Sequence, residues 1–159
     1  MNKKHLPMIA LSVIVMASCS QKEKQGDAIP NPFLTEYQTP FKVVPFDHVR
    51  TEHYLPAFEA GMKEQLEEVD AIVNNPETPT FQNTILPFDK SGETLDRVSN
   101  VFFNILECDS DDELLALAEQ VMPMLSKHGD AIAMNTKLFE RIDYVYQHCN
   151  EMDLDDQQI

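Results

Sequence analysis

Chemistry in this chain would have to start from its histidines, cysteines and carboxylates. The five histidines stand at positions 5, 48, 53, 128 and 148. None belongs to a His-Glu-x-x-His pair, the helical spacing that sets two imidazoles on one metal with a glutamate as base. His48 and His53 flank an expected helix start, which suits solvated or capping imidazoles better than a ligand pair. His128 and His148 fall near helix ends, where an imidazolium meets the negative end of the helix dipole. The acidic run Asp109-Ser110-Asp111-Asp112-Glu113 lacks the glycine and the final glutamate of a calcium loop and reads as helix capping. No nucleophile elbow, phosphate-cradling glycine loop or dinucleotide fingerprint appears. The acids are too numerous to single out a general acid and base. These residues predict no catalytic group, no metal ligand and no cofactor in this chain.

Composition narrows the partners. The 159 residues carry 12 Lys+Arg against 27 Asp+Glu, a formal net charge of −15. Phosphate binding needs clustered bases, so nucleic acid is excluded as a partner class. At 43% hydrophobic and 25% charged, the chain has the material for a packed core.

The N-terminus points outward from the cell. Met1-Asn2-Lys3-Lys4-His5 is a short basic start, and Leu6 to Ala17 is an apolar run too short to span a bilayer. It ends in Val15-Met16-Ala17-Ser18-Cys19, which resembles a bacterial lipobox. The expectation is a signal peptide over 1–18 and lipidation of Cys19, giving an exported protein anchored to a bacterial cell membrane, on the periplasmic side or at the outer membrane. A polar, proline-containing tether is expected over 19–40, followed by a helical region over 41–159. Removing 1–18 takes away Lys3 and Lys4, so the mature balance is 10 − 27 = −17. Cys108 and Cys149 then stand in a disulfide-permissive setting, and an up-down helical array permits their pairing.

The elements that position these groups are helical. Leu55, Phe58, Met62, Leu66, Val69 and Val73 step by three or four, with Thr51 as cap and Asn74-Asn75-Pro76 as stop. A second helix starts at Thr80 and carries Phe81, Ile85, Phe88, Leu95, Val98, Phe102 and Ile105, kinked or split at Pro87. Ser110 and Glu113 have capping-box spacing for a third, with Leu114, Ala118, Val121 and Leu125 as its stripe and Pro123 as a kink. Asn135 or Thr136 caps a fourth, bearing Leu138, Ile142, Val145 and Cys149. The class is all-α, an antiparallel helical array. Leu154 to Ile159 has the look of a further helix start, so a truncated product is expected.

Several blocks in order carry a family resemblance. They are Glu52-His53-Tyr54-Leu55-Pro56-Ala57-Phe58-Glu59-Ala60-Gly61-Met62, Pro79-Thr80-Phe81-Gln82-Asn83-Thr84-Ile85 and Ser91-Gly92-Glu93-Thr94-Leu95-Asp96-Arg97-Val98. Val101-Phe102-Phe103-Asn104 and Asn135-Thr136-Lys137-Leu138-Phe139-Glu140-Arg141-Ile142 complete the set. Together they resemble the N-terminal region of the peptidyl-dipeptidase and thimet-oligopeptidase family of zinc metallopeptidases. The resemblance implies a large, mostly helical, clam-like enzyme that hydrolyses short peptides in a deep channel, with zinc held on a His-Glu-x-x-His helix downstream of this chain. The N-terminal helices of that family form part of the channel wall. Within these blocks, Phe81, Phe102 and Phe139 read as core, Thr80 as a cap, and Asn104 and Arg141 as polar ties. The alternative is a non-catalytic helical lipoprotein that binds peptides or a partner.

Overall fold

The apolar stripe from Leu55 to Val73 produces α1 (Thr51–Val73), with the limits that the sequence signals predict. Its cap differs from the expected one. Arg50 occupies the N-cap position, and its backbone N–H donates to Nδ1 of His53 at 3.1 Å. That imidazole therefore satisfies a backbone donor at the helix entrance. At the far end the Asn74 amide donates to the Asp70 carbonyl at 2.8 Å. The computed structural model describes residues 30–155, and all regular elements among them are helical. The all-α reading is borne out.

After α1 the chain turns through Asn75–Pro79, and Thr80 caps a short π-helical turn, Phe81–Ile85, by accepting from the Asn83 N–H at 3.1 Å. Pro87 follows in α2 (Leu86–Asp89). Having no N–H, it cannot continue the usual ladder, and the Leu86 N–H reaches back five residues to the Phe81 carbonyl. The expected split falls elsewhere, at Lys90–Gly92. Gly92 adopts φ 84 before α3 (Glu93–Cys108) begins, a left-handed conformation that suits glycine.

The acidic run caps α4 (Asp112–Ala133), but through Asp111 rather than Ser110. Asp111 accepts from the Leu114 N–H at 2.8 Å, one residue further along than the capping-box pattern indicates. The helix continues through Pro123. Asn135 caps α5 (Thr136–His148), accepting from the Leu138 N–H at 3.1 Å.

α1 packs most extensively against α3 and also touches α4 and α5. Tyr54 and Phe58 meet Phe102, whereas Gln65 and Glu68 reach Ser91 and Gly92. Rising numbers on α1 thus pair with falling numbers toward α3, so the two helices run antiparallel. Gly61 lets them approach: a Cβ there would lie 2.8 Å from the Leu95 backbone.

Two apolar clusters result. The larger joins Phe33, Tyr54, Phe58, Leu95, Val98, Phe102, Leu114, Ala118 and Val121. The smaller joins Val69, Ile72 and Leu138. Phe33 is fully buried, and Asn31 donates to the His53 carbonyl at 2.8 Å. Asn31, Pro32 and Phe33, within the segment read as tether, are therefore packed on the helices. Phe102 is core as expected, but Phe139 is 66% exposed, because the buried face of α5 is formed by Leu138, Arg141 and Val145.

Candidate functional site

Three polar constellations link the helices. The first is centred on Arg141, expected as a polar tie and found buried. Its Nη1 donates to the carbonyls of Asn75 at 2.9 Å and Glu77 at 3.3 Å. Its Nη2 donates to Asn83 Oδ1 at 3.1 Å and Thr84 Oγ1 at 3.2 Å. The planar fork of an arginine holds four acceptors at once, and here it locks α5 onto the turn between α1 and α2. Asn104, the other expected tie, is exposed and donates to the Asn100 carbonyl of its own helix.

The second constellation couples α1, α4 and the turn that precedes α3. His128 is buried, with Nε2 2.6 Å from Gln65 Oε1. The Gln65 amide in turn donates to the Ser91 carbonyl at 3.3 Å. Burial lowers the His128 pKa below the ordinary histidine value. A groove of about 500 Å³ beside it is lined by Met62, Leu66, Met124 and Ala131, with Lys63, Glu67, Asp70 and Lys127 also around it. His128 is thus a buried bridge between helices, not a dipole partner at a helix end. Sequence reasoning passed over Gln65; the signal was a polar residue set on the stripe between Phe58 and Val69.

The third lies under the N-terminal segment. Arg97 donates to the Phe33 and Thr35 carbonyls, both at 3.3 Å, and to Glu93 at 3.0 Å. Its guanidinium sits 5.4 Å from the Tyr37 ring centroid. A cavity of about 600 Å³ opens here between Leu34–Tyr37, Lys42 and the start of α3. The Lys42 ammonium, hydrogen-bonded to Glu36, holds that carboxyl below its usual pKa, and burial raises that of Tyr37.

Among the described residues, His48 and His148 make local contacts. His48 is exposed beside Asp47, and His148 donates through Nδ1 to the Tyr144 carbonyl at 2.8 Å while stacking on the Tyr144 ring. Cys108, at the end of α3, and Cys149, in the turn after α5, are both free thiols. Cys19 lies outside the described residues. Among the described residues no group of three or more His, Cys, Asp or Glu is placed to hold a metal ion, so the zinc that the family resemblance implies does not fit them. No helix among them is long and apolar enough to cross a membrane. These arrangements tie the helices to one another and to the N-terminal segment.

The molecule is thus, by fold and by site, a helical unit whose buried polar groups serve positioning. No family model matches the chain, but individual relatives do. It is 40% identical to the dipeptidyl carboxypeptidase of Escherichia coli over 129 residues, which is 81% of this chain and 19% of that protein. It is 37% identical to the Salmonella typhimurium dipeptidyl carboxypeptidase over the same shares. Oligopeptidase A of Escherichia coli is 26% identical over 110 residues, 69% of this chain and 16% of that protein. The chain is homologous to the peptidyl-dipeptidase and oligopeptidase family, as the sequence blocks implied, and spans about a fifth of the length of the curated relatives it matches.

Proposed function

We propose that this chain is the N-terminal helical part of an exported zinc peptidyl-dipeptidase that acts on short peptides, anchored to the membrane by lipid on Cys19. The observation that carries the reading is the 40% identity over 129 residues to a dipeptidyl carboxypeptidase. In this reading the helices form part of the substrate-channel wall. Zinc and the groups that activate water stand elsewhere in the longer enzyme; bound zinc would supply Lewis-acid activation there. The contribution of these residues is to hold α1, α4, α5 and the turn that precedes α3 in fixed register through Arg141, Gln65 and His128, which keeps a wall rigid.

A chimera tests this. The matching 129 residues of the Escherichia coli enzyme are replaced by those of this chain, and release of C-terminal dipeptides from a short peptide is assayed. Retained zinc-dependent release is expected. A chimera that folds but releases no dipeptide would overturn the reading. The 159-residue chain alone is expected to release none, and zinc-dependent release by it would equally count against the assignment. Mass analysis of the N-terminal peptide from cells reads the anchor: an acylated Cys19 is expected, and an unmodified one dismisses it.

A further inference from the structure

We infer that the segment Leu34–Phe46 is a bilayer-facing surface, which seats the acylated protein on the lipid interface with its acidic helices turned away. The inference rests on the reading of Cys19 as the lipid anchor.

The first observation is apolar exposure in one short stretch. Leu34 is 46% exposed, Phe41 99%, Val43 55% and Phe46 55%. Phe41 and Lys42 both take positive φ, 59 and 54, a left-handed conformation that costs side-chain-bearing residues of the order of 1 kcal/mol each. The tip is nonetheless tied down: Thr39 Oγ1 donates to the Val43 carbonyl, and Lys42 pairs with Glu36. The Phe41 ring is therefore presented outward by a braced loop. An aromatic ring in water beside a braced backbone is what an interfacial contact uses.

The second observation is the distribution of charge. Residues 51–159 contain 6 Lys+Arg and 23 Asp+Glu, a balance of −17, whereas residues 19–50 contain 4 of each and balance to zero. Within this chain the excess of acid thus lies on the helical part. An anionic leaflet repels that part and leaves the neutral, apolar Leu34–Phe46 segment as the side that approaches.

The third is reach. Eleven residues separate Cys19 from Asn31, where the chain is fastened to α1 through the Asn31–His53 hydrogen bond. A chain of that length spans at most about 40 Å. That bounds how far the Leu34–Phe46 surface, which begins three residues after Asn31, can stand from an acylated Cys19. The occupant of that surface is accordingly the lipid itself.

The chain contains no tryptophan, so a single introduced indole reports its own surroundings. Phe41→Trp and, on the acidic side, Phe139→Trp are prepared in the acylated full chain and reconstituted into phosphatidylethanolamine–phosphatidylglycerol vesicles. The Phe41→Trp emission is expected to shift to the blue and to lose most of its intensity when brominated phosphatidylcholine is included. Phe139→Trp is expected to stay red-emitting and unquenched. Equal quenching at both positions overturns the orientation. A blue-shifted Phe41→Trp without bromolipid quenching overturns the proposal in favour of a protein cover on this patch. If Cys19 proves unmodified, the anchor reading fails on its own. The same vesicles added to the unacylated chain then test the surface: quenching of Phe41→Trp supports it and no quenching overturns it.

Discussion

The two ends of α1 are held by opposite kinds of interaction. Its N-terminal half enters an aromatic cluster in which Tyr54 and Phe58 meet Phe102 at ring-centroid distances of 5.1 and 5.3 Å. Its C-terminal end leads into a smaller cluster of Val69, Ile72 and Leu138, beside which Arg141 gathers four acceptors. Apolar packing is non-directional and scales with the area removed from water. A buried guanidinium fork is directional, and its worth depends on every acceptor being in place. The aromatic end gains more from burial; the arginine end is the more demanding about identity. Where few apolar side chains are available, the fold sets geometry with hydrogen bonds instead.

The largest effect should come from the aromatic end. Phe102→Ala removes a fully buried ring and is expected to cost about 3–5 kcal/mol by urea denaturation. A loss near 1 kcal/mol would show that the cluster collapses around the gap. Next is Arg141→Lys, which keeps the charge but not the fork. It is expected to cost about 1–3 kcal/mol, because an ammonium cannot reach the Asn75 and Glu77 carbonyls together with Asn83 and Thr84. A silent Arg141→Lys would erase the contrast between the two ends.

The smallest effect is a pH dependence centred on His128. Its pKa is lower in the folded chain than in the unfolded one. At pH above the ordinary histidine value of about 6.5 both states are neutral and the group contributes nothing. As pH falls through that value the unfolded state takes the proton first, so stability declines. His128→Gln, which keeps a partner for Gln65 without titrating, should flatten the profile of unfolding free energy from urea denaturation between pH 7 and pH 5.5, whose slope from one such group is at most about 1.4 kcal/mol per pH unit. Parallel profiles for the two proteins would remove His128 from the account.

Much of this molecule is legible in the chain. The stripe from Leu55 to Val73, the Asn74-Asn75-Pro76 stop and the caps Thr80 and Asn135 act within a few residues of themselves. Periodicity and capping chemistry therefore place α1, the helix start after Thr80 and α5 without reference to the rest. Arg141 was readable as a tie, and the family blocks pointed to relatives that the comparisons bear out. Local rules pointed to Ser110 as the α4 cap through its spacing from Glu113, whereas Asp111 takes that place.

Only the tertiary structure decided where the helix after Thr80 breaks. Pro87 carries the local signal, yet the chain turns at Gly92, where the Glu68 carboxylate accepts its N–H at 2.8 Å from 24 residues away. The same holds for the exposure of Phe139 beside the buried Arg141. Arg141 finds Asn83 at a separation of 58 residues, and that contact sets the rotation of α5. Phe33 is in the core because Tyr54 and Phe102 make room for it and Arg97 reaches its carbonyl across 64 residues. The sequence by itself determined which stretches are helical, since hydrogen bonds along a helix and its caps are local. Which faces those helices bury depends on partners far along the chain, and only their packing together decides that.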